Sequence, residues 1–380
     1  MARILIAVSS IGLGHAARAR VYGSLLEARG HRVEYYAPEP ALSYLQAWGA
    51  RVIDESRGSP SLSVFLEEHW SRTGRALIGL RASLREHKAA VEAGMRLLKA
   101  GVFDRYDLVV AEESWEVISI AERVSVRKAW ISDFIAYKPV GLGSMPAAYA
   151  VNRFLLRRYR LFDALYYVGL ASPEEMNWRM LPLGPRVSQV AREVFYVIGP
   201  IPPALGGELL GRAEARSDLG LPGGKLLLVQ LGGTSAGVDL VDRAVKASAS
   251  IGVTPIVATG PRARVRVPPQ ALLLGYEPRL PVYYRAFDCA YTLAGLLTIT
   301  GLARAGVPGV LQPLPGHFEQ EENAILASRK WSLFTRAPGS PELLRDALVN
   351  ACNRGTGEGD DSLDSNAHKL ADELEGILTL

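Results

Sequence analysis

Four segments of this sequence, each where an apolar run gives way to a helical pattern, carry residues able to bind anions or move a proton. The first is Ser9-Ser10-Ile11-Gly12-Leu13-Gly14-His15. Gly12 and Gly14 permit a sharp turn and let a ligand approach the amides of a helix N-terminus. His15 adds an imidazole, which titrates near neutrality and can take a proton from an attacking hydroxyl; the plainer reading is a helix-capping histidine. The pattern falls short of a dinucleotide fingerprint, because Ala17 stands at the third glycine position. In the second, Gln230-Leu231-Gly232-Gly233-Thr234-Ser235-Ala236-Gly237, backbone amides and two hydroxyls could cradle a phosphate, or simply make a tight turn. The third, Ala294-Gly295-Leu296-Leu297-Thr298, opens another helix, and two such N-termini suit a diphosphate better than one. The fourth is Pro313-Leu314-Pro315-Gly316-His317-Phe318-Glu319-Gln320-Glu321-Glu322-Asn323-Ala324. Its carboxylate and amide side chains could hold sugar hydroxyls, though an acidic first turn also compensates the helix macrodipole. Asp133, in Ser132-Asp133-Phe134 after another apolar run, is a candidate acceptor-side carboxylate.

Such turns act only if rigid elements aim them, and the sequence alternates strand-length apolar runs with helical patterns throughout, the mark of parallel α/β sheets. Strands are expected at Arg3–Val8, His31–Tyr36, Leu108–Ala111, Lys128–Ile131, Leu165–Val168 and Val194–Val197, with a first helix over Ala16–Arg29 stopped by Gly30. A Gly- and Pro-rich stretch begins near Gly199-Pro200-Ile201-Pro202-Pro203, and a second series follows at Lys225–Gln230, Thr254–Ala258, Ala271–Gly275, Cys289–Thr292 and Gly309–Gln312. The pattern predicts an N-terminal doubly wound domain over 1–199, a linker over 200–224 and a second such domain over 225–357. A C-terminal helix within 358–380, with Leu363, Leu370, Leu374 and Ile377 at near-helical spacing, is expected to return to the first domain.

The chain has 380 residues, of which 48% are hydrophobic and 22% charged, the balance of a folded soluble protein. No apolar run is long enough to span a bilayer. The net charge of +4 is carried by arginine rather than lysine and is too dispersed to point to nucleic acid. Basic amphipathic segments, from Arg72 to Lys99 and over Arg153-Phe154-Leu155-Leu156-Arg157-Arg158-Tyr159-Arg160, could lie on an anionic membrane or be solvated surface. Cys289 and Cys352 have no metal-ligand spacing and read as two reduced thiols.

Taken in order, these motifs make the chain resemble the GT-B enzymes of glycosyltransferase family 28, the group containing the peptidoglycan enzyme that adds N-acetylglucosamine to a lipid-linked muramyl peptide. The resemblance is strongest over 226–331, through the Gly-Gly-Thr-Ser turn, the Gly-Leu-Leu-Thr turn, Gly306-Val307-Pro308 and Glu319-Gln320 to Asn323-Ala324. Over 4–20, Gly12-Leu13-Gly14-His15 with Arg18-Ala19 is similar to uncharacterised relatives of that family. The resemblance implies the GT-B fold, two Rossmann-like domains with a cleft between them, and an inverting hexosyltransferase using a UDP-linked sugar. The donor's diphosphate would lie among Gly232, Gly233, Thr234, Ser235, Gly295, Leu296, Leu297 and Thr298. Tyr276 would meet the base, and His317, Glu319, Gln320 and Asn323 would hold the sugar or its loop. His15 would be the general base, with Asp133 as understudy and Gly12 and Gly14 in an acceptor-side loop. No cofactor or metal is implied beyond the nucleotide sugar as co-substrate, and a cytoplasmic, peripherally membrane-bound protein with a lipid-linked acceptor is expected. One position departs: where the family places a glutamate that grips the ribose, this chain has Gly301. An epimerase on the same fold or a catalytically silent nucleotide-sugar-binding subunit are the rival readings, with a nicotinamide dehydrogenase a distant third.

Overall fold

In a computed structural model the alternation of apolar runs and helical patterns becomes two parallel sheets of six strands each. The structure describes residues 1–9, 12–59, 80–139, 144–232, 239–248 and 251–379. The chain divides into two units, one formed by residues before Pro202 together with those from Ser365 onward, the other by Pro202–Asp364.

The first unit contains β1 (Arg3–Val8), α1 (Gly14–Ala28), β2 (Arg32–Tyr36), α2 (Ala41–Ala47), α3 (Leu80–Lys99), β3 (Leu108–Glu112), α4 (Trp115–Ser119), β4 (Arg127–Ser132), α5 (Met145–Arg158), β5 (Ala164–Tyr167), α6 (Val187–Val194) and β6 (Tyr196–Val197). Its strand order is β2-β1-β3-β4-β5-β6. The central strands are buried on both faces, which is why Ile4–Val8 and Leu108–Ala111 read as unbroken apolar runs rather than alternating ones. The order reverses between β1 and β3, where Val8 lies level with Glu112. In open α/β sheets a ligand crevice opens beyond the strand ends at such a point.

The second unit contains α7 (Arg212–Asp218), β7 (Leu226–Gln230), α8 (Asp239–Ser248), β8 (Thr254–Ala258), β9 (Leu272–Gly275), β10 (Cys289–Leu293), α9 (Leu296–Ala305), β11 (Gly309–Gln312), α10 (Phe318–Lys330), β12 (Phe334–Arg336) and α11 (Pro341–Arg354). Here the order is β12-β11-β10-β7-β8-β9, with the reversal between β7 and β10. Of the expected linker, the stretch from Pro202 belongs to this unit, and Arg216 in α7 bonds Asp288 at 2.9 Å. The three-residue edge strand β12 was not anticipated, being too short for a periodicity to register.

The cysteines correct the sequence reading: Cys289 of β10 and Cys352 of α11 form a disulfide with their Cα atoms 4.9 Å apart. The two positions are 63 residues apart, so only the packing of α11 beneath the sheet brings them together. The last helix, α12 (Ser362–Thr379), buries Leu363, Leu370, Leu374 and Ile377. From Ser365 it belongs to the first unit, where Asn366 donates to the Pro200 carbonyl at 2.9 Å, Arg127 donates to that of Ile377 at 2.7 Å and Glu375 meets His31 at 3.0 Å.

Candidate active site

The reversal point of the first sheet holds a buried charge cluster. Gly12 turns at φ +74°, and α1 starts at Gly14, placing His15 in its first turn. One turn on, Arg18 is fully buried with its guanidinium between carboxylates. Its Nε donates to Glu112 Oε1 at 2.9 Å, its Nη2 contacts the same oxygen, and its Nη1 donates to Asp133 Oδ2 at 2.9 Å. Tyr22 donates to the other Glu112 oxygen at 3.2 Å. Glu113 accepts on Oε1 from the Ser132 hydroxyl and the Asp133 amide, both at 2.9 Å.

His15 sits at the open edge of this cluster, 13% exposed at its side chain. Its Nδ1 lies 3.3 Å from Glu112 Oε1 and 3.2 Å from Arg18 Nη2, and its Nε2 lies 3.6 Å from Glu113 Oε2. Arg18 can only donate, and its Nη2 carries two protons, so Nδ1 of His15 either accepts from Arg18 or donates to Glu112, according to the tautomer. In the Nδ1–H tautomer the ring donates to Glu112 and the Nε2 lone pair is available as a base. The same field separates the carboxyl groups. Burial, reinforced by the charge of Asp133, raises Glu113 well above the ordinary range. Burial opposes ionisation of Asp133 too, but there Arg18 prevails and holds it below its ordinary value. His15, Glu113 and Asp133 bring ligand atoms within 4.8 Å of one another. The Arg18 guanidinium already supplies positive charge at that spot, so the set does not call for an ion.

The second sheet's reversal point gathers most of the expected donor-side residues. Gln230 ends β7, and its side chain links two elements: Nε2 donates to Thr298 Oγ1 at 3.3 Å and Oε1 accepts from Tyr284 at 3.0 Å. Gly295 is the N-cap of α9 and no side chain caps that helix, so its first amides face the strand ends without an internal side-chain acceptor. Leu296 and Leu297 are buried and contribute backbone only. Asn323 ties α10 to this loop, donating to the Ala294 carbonyl at 3.4 Å and to Glu319 Oε1 at 3.3 Å. His317 caps α10 by accepting from the Gln320 amide at 3.4 Å, and Gln320 Oε1 accepts from the Leu314 amide at 3.0 Å, so both brace the loop. Tyr276 follows edge strand β9, two strands away from β7, and is half-buried there. Gly232 stands just beyond β7, whereas Gly233, Thr234 and Ser235 lie outside the described residues.

Gly301 now has a physical explanation. A Cβ at that position would stand 2.5 Å from Cε2 of Tyr284 and 2.8 Å from Cγ of Pro203. The space that a ribose-gripping side chain would need to leave the helix is filled by the ring whose hydroxyl holds Gln230.

Glu112 and Glu113 were not singled out from the sequence; Arg18 entered only through the resemblance around His15 and Gln230 only as the residue before the glycine turn, neither with a role. An available signal was the Glu112-Glu113 pair closing an otherwise apolar strand, where two carboxylates enter a sheet end that must stay dry.

Two doubly wound parallel sheets in one chain, each with a polar cluster at its reversal point, are the architecture of the GT-B class of glycosyltransferase fold. Solved structures agree. Spinosyn forosaminyltransferase SpnP superposes with a TM-score of 0.59 at 15% identity, covering 98% of this chain and 95% of that one. Acinetobacter baumannii MurG superposes with a TM-score of 0.50 at 13% identity, covering 98% and 99%. Among curated proteins, the UDP-N-acetylglucosamine–N-acetylmuramyl-(pentapeptide) pyrophosphoryl-undecaprenol N-acetylglucosamine transferase of Rhodococcus opacus (strain B4) is 31% identical over 215 residues, 49% of this chain and 55% of the relative. The chain spans about half the length of the curated relatives it matches. No protein-family model matches it. The chain thus has the fold of a GT-B glycosyltransferase, and its resemblance to the family 28 enzymes holds.

Proposed function

We propose that this protein is an inverting glycosyltransferase that moves a sugar from a UDP-linked donor, with UDP-N-acetylglucosamine the first candidate, to a hydroxyl or phosphate oxygen of a lipid-linked acceptor. The observation that supports the reading is the His15–Glu112 pair at the reversal point of the first sheet; with the proton on Nδ1, Nε2 would be the basic atom. For a hydroxyl acceptor, the O–H proton passes to Nε2 while its oxygen forms a bond to the anomeric carbon. The bond from that carbon to the β-phosphate oxygen breaks, and its electron pair leaves with UDP. Glu112 stabilises the resulting imidazolium through Nδ1–H. Asp133 is a poor base because Arg18 holds it ionised; it serves to fix Arg18.

On the donor side, the amides that open α9, with Gly232, Gly233, Thr234, Ser235 and Thr298, would take the diphosphate charge. Glu319 would hold the sugar on a loop braced by His317, Gln320 and Asn323, and Tyr276 would meet the base. No cofactor enters this scheme. The acceptor's lipid would be met by α5, where a cavity of about 310 Å³ is lined by Arg153, Phe154, Arg157, Arg158 and two apolar residues. Phe154 stacks on Trp115 there at 6.2 Å. Such a basic, aromatic face suits the anionic headgroups of an inner membrane surface.

Thermal shift against a panel of nucleotide sugars, followed by UDP release with lipid-linked N-acetylmuramyl pentapeptide, tests the reading. A shift with UDP-N-acetylglucosamine and acceptor-dependent UDP release are expected, with His15→Ala lowering transfer by about 10²–10⁴-fold. Parental transfer by His15→Ala removes the base assignment. Binding without release points to the silent subunit, and a changed sugar without UDP release to the epimerase.

A further inference from the structure

Glu113 is the one non-glycine residue with a positive φ, +48°, among the described residues. Left-handed backbone is costly for a side chain as large as glutamate, and such strain persists only where the surroundings enforce it. Its consequence here is geometric. Successive residues of a strand point to opposite faces, so two adjacent glutamates at the end of β3 should diverge. They do not: Glu112 reaches Nδ1 of His15 and Glu113 reaches toward Nε2 of the same ring. The backbone reversal at Glu113, held by its amide donating to the Ala111 and Ile131 carbonyls at 3.1 Å, turns the second carboxyl back onto the imidazole.

The two contacts differ in kind. At 3.3 Å, Glu112 is close enough to Nδ1 to orient the ring. At 3.6 Å, Glu113 Oε2 stands too far from Nε2 for a good direct hydrogen bond. It is near enough for one oxygen atom to touch both. The other oxygen, Oε1, is committed to Ser132 and Asp133, so the carboxyl cannot swing away.

We propose that Glu113 positions the acceptor: its Oε2 shares a hydrogen bond with the attacking hydroxyl and holds that oxygen against Nε2 of His15. This rests on the reading of His15 as the base. Glu113 itself neither gains nor loses a proton in the step; the hydroxyl proton goes to Nε2 as above.

The test uses the full chain with UDP-N-acetylglucosamine and lipid-linked N-acetylmuramyl pentapeptide, comparing Glu113→Gln, Glu113→Ala, Glu113→Asp and His15→Ala. Glutamine keeps an oxygen for Ser132 and Asp133 and is the variant that decides if alanine does not fold. Glu113→Gln is expected to retain the wild-type thermal shift with UDP and to lose about 10-fold or more in kcat/KM for the acceptor, mostly through KM, with Glu113→Asp partly restoring it. Parental acceptor kinetics in Glu113→Gln, alongside inactive His15→Ala, overturns this proposal and leaves the base assignment standing. Full transfer by His15→Ala fails the base reading instead, and this proposal with it. If the wild type transfers nothing to this acceptor, the imidazole ¹⁵N resonances of His15, assigned by their loss in His15→Ala, decide. They must move in Glu113→Gln, and unchanged resonances overturn the placement.

Discussion

At the scale of single residues, the buried network around Arg18 works as a unit. A fully buried guanidinium is tolerable only because Glu112 and Asp133 satisfy it, and those carboxylates are tolerable only because of it. Removing one partner leaves the others uncompensated, so Arg18→Met is expected to cost about 3–5 kcal/mol in chemical denaturation. Glu113 has the opposite linkage from Asp133. Its folded form holds a proton more tightly than the ordinary carboxyl with its value of 4.5. Stability from this group is therefore complete below about that pH and declines as pH rises toward the raised folded value. Glu113→Gln removes the group, so the difference in melting temperature between variant and wild type should grow in the variant's favour across that window. A difference independent of pH would place the proton elsewhere.

Elements decide where these residues can act. The switch in strand order sets β1 beside β3 and β7 beside β10, and each open corner receives a glycine-rich turn and a helix start. In α9 two effects oppose each other at Gly301. Helix propensity favours alanine by about 1 kcal/mol. The contacts a Cβ would make with Tyr284 and Pro203 fall well inside normal packing distance, and overpacking costs about 1–3 kcal/mol. Tyr284 is buried and pinned to Gln230, so it cannot yield cheaply. Packing prevails, and Gly301→Ala is expected to destabilise the protein by about 1–2 kcal/mol in urea unfolding. A stabilised variant would mean that the ring moves freely. The turns at Gly12 and Gly295 and the helices that follow them were legible in the sequence because a turn and a helix start leave local signatures. The filling of the Gly301 space was not, since Pro203 and Tyr284 are remote in sequence.

For the whole molecule, among the described residues no helix is long and apolar enough to cross a membrane. Of the two basic segments, the one beginning at Arg72 lies partly outside the described residues; on α5, Arg153 and Arg157 are exposed beside half-buried Phe154. Co-sedimentation with vesicles checks the membrane contact proposed for that face. Recovery should rise with phosphatidylglycerol content, fall with added salt as screening lengths shorten, and drop in the Arg153→Ala/Arg157→Ala double variant. Equal recovery on phosphatidylcholine alone, or none on either, removes the membrane role.

The sequence by itself determined the two doubly wound halves, most strand positions, the apolar face of the last helix and the turns at Gly12 and Gly295. All of these are written in periods of a few residues. Only the tertiary structure decided which side chains meet. His15 and Glu112 are separated by 97 positions, Arg18 and Asp133 by 115, and Cys289 and Cys352 by 63. Each pair depends on which strand or helix packs beside which, and neighbouring residues carry no trace of that choice. His15 stood out early as a candidate base; the parallel pairing of β1 with β3 supplied Glu112 beside its Nδ1 and Glu113 facing its Nε2.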